Sequence, residues 1–470
     1  MIAVLLMLAA IIGTPLFSLF GGAALSLFME MPGGSIASPA IDVLSAKFAE
    51  DPNLMSVPLF TFSGYLLAEA GTPRRLVGLS QAWLGWVPGS LAGVCLVTSA
   101  FVTTFTGGSG ITIVAVGALL FPALMSERYP ERFALGLVTT GGSLGLLFPP
   151  SVPLIMYAIV AGLVMEKVLV AGILPGLVVV LALWLYSGYV GVRRDVARSP
   201  FQLQRALAAL WVAKWEVAIP IVMVGGLGAG LLRMHEACAF CAVYVLFIEV
   251  VVYRDIHVRR DLPRIVIESM TLVGAILIIM ATAIGFTGWM VYAQIPMQLL
   301  EWVEQIIDSQ VMFLLALNLF LLAVGMLMDI FTAIVVVVPL VLPIAEAYSV
   351  DPYHLAIVFL LNLEIGYLTP PVGINLFYSS IRFGKPITTL YRAVLPFIGI
   401  LFVALMIVTY IPSITTFVPE LLAIHDDNHD AADDSAATTD GSLPDDLSED
   451  LGLSPEELME LGLEPDALTP

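Results

Sequence analysis

Residues Gly141 to Tyr157 read GGSLGLLFPPSVPLIMY, an apolar stretch that contains three prolines and three glycines. It has the hydrophobicity of a membrane helix, but Pro149 and Pro150 stand in its middle and Pro153 follows. Proline lacks an amide donor and clashes with the preceding turn, so a continuous helix cannot pass through this stretch. Non-helical backbone at membrane depth is tolerated only where it lines a cavity or is buried in protein. The stretch, which we call the first break, therefore predicts a broken helix at a functional position.

The composition places the rest of the chain in a lipid bilayer. Of its 470 residues, 59% are hydrophobic, and the mean hydropathy is +0.98. Many apolar runs approach or exceed the roughly 20 residues with which a helix crosses a bilayer. The alternating pattern of barrel strands is absent from the sequence. We therefore expect an all-α polytopic membrane protein.

The net charge of −19 belongs mainly to one end of the chain. No Lys or Arg follows Arg392, whereas residues 425–470 are rich in Asp and Glu. No basic patch suits nucleic acid, so we expect no nucleic-acid partner. The sequence also lacks HExxH and clustered histidines, which argues against an enzyme. Cys95, Cys238 and Cys241 lie in apolar segments and are expected to be small buried side chains.

The first break recurs downstream as residues Asn362 to Tyr378, NLEIGYLTPPVGINLFY, which we call the second break. A shift of 221 residues places Pro149-Pro150 on Pro370-Pro371 and Gly145 on Gly366 without a gap. The order of the surrounding segments matches as well, which indicates a duplicated chain. Two breaks at corresponding positions of two halves indicate the binding site of a transporter.

An interrupted apolar run precedes each break. Leu91 to Leu124 is interrupted at 106–110, and Val311 to Ala345 at 325–332. We expect each half of these runs to be too short to span, and we predict two re-entrant hairpins. The predicted organisation is a first repeat over 1–192 (hairpin tip 106–110, broken helix 133–163), a basic linker over 193–214, a second repeat over 215–418 (hairpin tip 325–332, broken helix 353–380) and an acidic, disordered tail over 419–470. Residues 1–28 are read either as one helix or as a tight pair.

Charge predicts the orientation of these segments, because cytoplasmic loops carry the excess of Lys and Arg. With the 193–214 linker in the cytoplasm, only Lys47, Lys167 and Arg233 among the loop cations fall outside. This threading requires hairpins that do not cross, and it inverts the two repeats relative to each other. It predicts a periplasmic C-terminal tail.

The site is expected where the hairpin tips and the breaks meet. Free carbonyls and hydroxyls suit a small hard cation, and half-helix N-termini attract anionic groups. Asp329 is read either as a sodium ligand or as the cap of the helix that starts at Ile330, and both can hold. Glu364 either joins the site or hydrogen-bonds the broken backbone. The candidate sodium-site residues are Thr106, Gly107, Ser109, Gly145, Gly325, Asp329, Thr332, Gly366 and Thr369. The candidate substrate-site residues are Gly108, Ser143, Pro149, Pro150, Ser151, Asn362, Pro370, Pro371 and Asn375, of which Asn375 could instead satisfy freed carbonyls.

Six ordered motifs within residues 1–418 resemble the large permease subunit of tripartite ATP-independent periplasmic (TRAP) transporters. They are VPLFTFSG at 57–64, TGGSGIT at 106–112, GLLFPPSVP at 145–153, HEACA at 235–239, GMLMDIFTAI at 325–334 and IGYLTPPVGINLF at 365–377. The chain departs from the family pattern at Gly108, where serine is usual, and at His235, where threonine is usual. Gly108 leaves the first cation site with fewer side-chain oxygens.

The resemblance implies a secondary transporter of the bacterial inner membrane that is driven by a sodium gradient and moves as an elevator. It implies a periplasmic substrate-binding protein that delivers an organic acid, and a separate small four-helix membrane subunit. The alternative is a stand-alone ion-coupled anion carrier of related architecture that needs no binding protein. Neighbouring genes for a secreted binding protein and a small membrane protein would separate the two.

Overall fold

The computed structural model describes residue 8 and residues 13–29, 52–194, 196, 200–228 and 232–422. The predictions for residues 1–7 and 9–12, for Lys47 and for the tail beyond Leu422 lie outside the described residues. Secondary structure in the described part is helical. The helices of the first half are α1 (Leu16–Met29), α2 (Ser56–Glu69), α3 (Thr72–Leu84), α4 (Ser90–Thr106), α5 (Ser109–Ser126), α6 (Glu131–Gly141), α7 (Val152–Ala161), α8 (Met165–Ala171) and α9 (Ile173–Arg193). A 3-10 turn, Leu144–Leu147, lies between α6 and α7.

The second half follows a short amphipathic helix, α10 (Leu203–Val212), of which only Ala206 is buried. Its helices are α11 (Lys214–Gly228), α12 (Met234–Phe247), α13 (Leu262–Tyr292), α14 (Ile295–Glu304), α15 (Gln310–Leu327), α16 (Ile330–Ala347), α17 (Pro352–Gly366), α18 (Ile374–Phe383), α19 (Ile387–Tyr410) and α20 (Ser413–Leu421). A π-helical turn, Ile248–Val252, continues α12. Seven helical segments of the described part are long and apolar enough to cross a membrane.

Both breaks interrupt their helices where the sequence places the paired prolines. In the first half, the segments before and after the break bend by 43°. In the second half, α17 ends at Gly366 and α18 begins at Ile374. Both Pro-Pro bonds are cis. The predicted class, an all-α polytopic protein with two hairpins and two broken helices, is confirmed.

The hairpins turn within two residues, Gly107-Gly108 in the first and Met328-Asp329 in the second. The helices of the first hairpin pack closely along each other, whereas those of the second diverge and α15 packs mainly against α17. The expectation that each half is too short to span a membrane is wrong for three of the four halves. At 18 residues each, α5, α15 and α16 reach the minimum length for a span, so the two-residue turns define the hairpins better than length does.

Several contacts between a helix of the first half and a helix of the second half have counterparts between the equivalent helices. Helix α5 packs against α18, and its counterpart α16 packs against α7, the counterpart of α18. In the same way α2 packs against α12, while α13 packs against α1. Such reciprocal packing is what two halves related by a two-fold axis produce. The domain boundaries stay a prediction.

Candidate functional site

A cavity of about 840 Å³ lies where the two hairpin tips approach each other. The first hairpin contributes Gly107 to Gly110, and the second contributes Asp329 to Phe331. The breaks contribute Leu146, Tyr367 and Tyr378. The remaining wall comes from α2 and α13. The cavity therefore separates the hairpins and breaks from this pair of helices.

Three helices begin at this cavity. Ser109, Ile330 and Ile374 are the first residues of α5, α16 and α18, and each of them lines the cavity. The first turn of a helix presents amide groups without intrahelical partners and carries a partial positive charge. Convergence of three N-termini makes the cavity suitable for an anionic group.

The tip of the first hairpin is shaped by glycine. Gly107 adopts a left-handed conformation at φ +62°, and a Cβ there would lie 2.9 Å from Val152. Thr106 makes only long hydrogen bonds, at 3.5 Å to the Thr103 carbonyl and 3.4 Å to the Gly108 carbonyl. The backbone oxygens and the hydroxyl at this tip are thus close to one another without being tightly engaged.

Asp329 caps α16, which confirms one of the two roles that the sequence predicts for it. Its carboxylate accepts hydrogen bonds from the amides of Phe331 and Thr332, both at 3.1 Å, and from the Thr332 hydroxyl at 2.5 Å. The residue also lines the cavity. A carboxylate fixed in this way presents oxygen atoms to the cavity in one defined orientation, so capping and ligand binding are compatible.

A second polar group lies where the two breaks meet. Ser143 Oγ donates to Glu364 Oε1 at 3.4 Å, and Asn375 Nδ2 donates to Ser143 Oγ at 3.4 Å. All three side chains are fully buried. Glu364 Oε2 and Asn375 Oδ1 have no hydrogen-bond partner within the described part of the chain. We call these three residues the inter-break cluster.

Two of the candidate glycines pack a hairpin against a break instead of lining the cavity. A Cβ on Gly145 would lie 2.2 Å from the Ala100 carbonyl oxygen of α4. A Cβ on Gly366 would lie 2.5 Å from the carbonyl carbon of Gly325 in α15. Each break can therefore approach its own hairpin closely only because no side chain intervenes.

The other predicted site residues lie apart from the cavity lining. Asn362 donates to Asn318 Oδ1 at 2.7 Å and to the Val358 carbonyl at 2.8 Å, which directs it towards α15. The Thr369 hydroxyl donates to the Ile365 carbonyl at 2.8 Å. Pro150 and Ser151 of the first break are buried, whereas Pro370 and Pro371 of the second are exposed. Pro149 is half-buried.

Sequence reasoning missed the residues of α2 and α13 that line the cavity. They include Tyr65 and Glu69 on α2, and Glu268 and Thr271 on α13. Glu69 forms an ion pair with Arg264 at 2.5 Å. Glu268 could have been singled out, because it lies inside a predicted span, where an ionisable residue is costly and marks function.

Known proteins with similar sequences identify the family. Residues 1–414 match the family model described as the tripartite ATP-independent periplasmic transporter, DctM component. The chain belongs to this family. It is 34% identical over 402 residues to the C4-dicarboxylate TRAP transporter large permease protein DctM of Pseudomonas aeruginosa, covering 85% of this chain and 93% of that protein. The predicted resemblance is thereby confirmed.

Two further relatives of this DctM-family permease are named after other substrates. The sialic acid TRAP transporter large permease protein SiaM of Vibrio cholerae is 30% identical, covering 78% of this chain and 86% of that protein. The isethionate TRAP transporter permease protein DctMQ of Oleidesulfovibrio alaskensis is 31% identical, covering 87% of this chain and 64% of that protein.

A solved structure shares the fold of the permease. The Alcanivorax borkumensis YdaH transporter matches with a TM-score of 0.60, covering 85% of this chain and 98% of that one, at 14% sequence identity. At this identity the likeness concerns the fold alone. The family makes the chain a multi-pass membrane permease of a transport system.

Proposed function

We propose that this permease is a sodium-coupled secondary transporter that imports an organic acid across the bacterial inner membrane. A periplasmic substrate-binding protein would deliver the carboxylate, and a separate small four-helix membrane subunit would complete the complex. The named relatives transport C4-dicarboxylates, sialic acid and isethionate, all of which are organic anions at neutral pH.

The observation that carries the proposal is the convergence of three helix N-termini on one cavity. Ser109, Ile330 and Ile374 each begin a helix at its wall. The partial positive charge at these N-termini would attract carboxylate oxygens without a buried arginine. A cavity of about 840 Å³ lies within the range of roughly 300–1,000 Å³ that small-molecule sites occupy.

Sodium coupling is supported by the oxygen atoms at the two hairpin tips. Asp329 offers a carboxylate, and Thr106 and the adjacent carbonyls offer neutral oxygens. Hard cations prefer such oxygen ligands. A cation bound beside Asp329 would offset the negative charge that otherwise repels a carboxylate solute, so each ion would favour binding of the other.

An elevator movement is supported by the location of the cavity between two groups of helices. The hairpins and breaks line one side, and α2 and α13 line the other. The two breaks also differ in environment, since Pro150 is buried and Pro371 is exposed. Alternating access in inverted-repeat transporters requires two similar halves that adopt different environments. If the two breaks exchanged their environments, the permease would open to the opposite side of the membrane.

The test is uptake into proteoliposomes that contain the permease together with its small subunit. The assay varies the sodium gradient and the presence of a binding protein loaded with succinate. We expect uptake only when the inward sodium gradient and the loaded binding protein are both present. Equal uptake of free succinate without binding protein would favour the stand-alone carrier, and uptake independent of sodium would contradict the coupling.

A further inference from the structure

A strongly basic pocket of about 610 Å³ lies at one end of α6, α9 and α19, away from the cavity described above. Its wall contains four arginines, Arg132, Arg193, Arg194 and Arg392. A recess of about 150 Å³ continues it between Arg132, Arg392 and the hydroxyl side chains of Thr388 and Thr389. Arginines line the pocket, two of them also line the recess with the two threonines, and such groups suit an oxyanion.

The charge of these arginines is not neutralised by the protein. None of the four forms an ion pair with a carboxylate in the part of the chain that the structure describes. Arg193 donates to the Tyr189 hydroxyl at 3.1 Å, which leaves its charge uncompensated. All four arginines are exposed, and an external anion between their side chains would reduce their mutual repulsion.

An apolar groove leads away from this pocket along the membrane-spanning part of α9 and α19. The groove has a volume of about 380 Å³, and Pro396 lines both it and the basic pocket. Its other walls include Val178, Ala182, Ile400 and Ile407. From Pro396 to Ile407, α19 rises by about 16 Å at roughly 1.5 Å per residue. That length matches one leaflet, because the hydrocarbon core is about 30 Å thick.

We propose that these joined spaces bind one anionic diacyl phospholipid from the bilayer. The phosphate-bearing headgroup lies among Arg132, Arg392 and their neighbours, and an acyl chain lies in the groove between α9 and α19. Guanidinium groups bind phosphate through paired hydrogen bonds, and basic pockets between membrane helices bind acidic headgroups. A zwitterionic lipid would leave part of the positive charge uncompensated.

The lipid would connect the two halves of the permease. Helices α6 and α9 belong to the first half, and α19 belongs to the second. Aromatic rings of both halves already meet beneath the pocket, since Phe133 packs at 5.6 Å and Tyr186 at 5.4 Å from Phe397. A bound headgroup would relieve repulsion between arginines of the two halves and stabilise this contact.

The experiment is native mass spectrometry of the full chain in detergent, titrated with three lipids. Dioleoyl phosphatidylglycerol carries both features, dioleoyl phosphatidylcholine carries the same tails, and dihexanoyl phosphatidylglycerol carries the headgroup on short tails. We expect dioleoyl phosphatidylglycerol to bind most tightly. Arg132→Gln with Arg392→Gln should weaken its binding about twenty-five-fold, since each arginine near an acidic headgroup contributes roughly a five-fold factor.

Two further variants separate the binding site from general charge and from folding. Arg259→Gln with Arg260→Gln removes the same charge from an exposed loop and should leave binding unchanged. Gly399→Phe fills the groove from a position with open space around it, and should weaken the long-chain lipid while sparing the short-chain one. Equal binding of phosphatidylcholine and phosphatidylglycerol, or equal losses in both double variants, would overturn the proposal.

Discussion

Ser143 Oγ donates a hydrogen bond to Glu364 Oε1, and the two residues are 221 positions apart in the chain. The same 221-residue shift superimposes the first break on the second. A residue that contacts its own counterpart must lie beside the axis that relates the two halves. The pseudo-two-fold axis of the permease therefore passes between Ser143 and Glu364, and the inter-break cluster marks the place where the two broken helices meet.

The first prediction concerns this pair. Ser143→Ala removes the hydroxyl partner of a fully buried carboxyl group, and we expect it to lower the free energy of unfolding by about 1–3 kcal/mol. Glu364→Gln combined with Ser143→Ala should lose less than the sum of the single variants, because a neutral amide costs less to bury unpaired. Thermal unfolding of all four proteins gives the coupling energy. Strict additivity would mean that the two side chains do not interact.

The second prediction separates the two roles of Asp329. Asparagine caps helices about as well as aspartate does, so Asp329→Asn should retain a melting temperature close to that of the parent. Without the carboxylate charge, we expect the sodium concentration for half-maximal uptake to rise at least about ten-fold, which corresponds to ~1.4 kcal/mol. Asp329→Ala should lose both properties. Unchanged sodium dependence in Asp329→Asn would assign the residue to capping alone.

The third prediction concerns the close approach of Gly366 to Gly325. Gly366→Ala places a Cβ 2.5 Å from backbone that cannot rotate away, and we expect a destabilisation of about 1–3 kcal/mol together with loss of transport. Gly274→Ala is the matched control, because a Cβ on this α13 glycine meets nothing within 4 Å. Melting temperature and uptake are measured for both. Equal tolerance of the two substitutions would show that the break and the hairpin separate readily.

The fourth prediction concerns the helix that leads into the first hairpin. Arg75 of α3 pairs with Glu216, with Glu249 at 3.0 Å and with Asp255 at 2.6 Å. Glu216 and Glu249 are fully buried, so Arg75→Gln leaves two buried carboxylates without their cation. We expect a loss of about 3 kcal/mol, as for other buried pairs that lose one partner.

The neighbouring Arg74 provides the control for this variant. Arg74 is exposed, and Arg74→Gln removes the same charge one residue away without disturbing the buried carboxylates. Its melting temperature in detergent should stay close to that of the parent. A similar fall in both variants would indicate a general effect of charge at this end of the protein.

The fifth prediction is the sidedness of the chain. If the repeats are inverted as the loop cations predict, the C-terminus lies in the periplasm. Alkaline phosphatase fused at the C-terminus should be active, and green fluorescent protein fused there should stay dark. The reverse pattern would place the tail in the cytoplasm and overturn the predicted threading.

Much of the fold could be predicted because its determinants are local. The paired prolines at 149–150 and 370–371 forbid a continuous helix wherever they occur, and their constant spacing reveals the duplication. Asp329 stands directly before a helical run, so its capping role also follows from a few adjacent residues. Such features depend on the type of residue and on its neighbours within a few positions, and both can be read directly from the sequence.

The composition of the site depended on contacts between distant segments. Asn362 is only two positions before Glu364, yet it donates a hydrogen bond to Asn318, whereas Glu364 accepts one from Ser143. Residues two positions apart on a helix point in different directions, and only the neighbouring helices decide which direction faces a site. For the same reason Glu268 enters the cavity lining although its own segment shows only an ordinary span.

Local sequence features thus established the class of protein, the two breaks, the hairpin tips and the family, because prolines, glycines and long apolar runs act on their immediate surroundings. The packing of the helices was needed to show that three helices begin at one cavity, that Ser143 contacts Glu364, and that the two breaks differ in exposure. These relationships arise from packing between segments far apart in the chain, where each helix is positioned by the surfaces of several others at once.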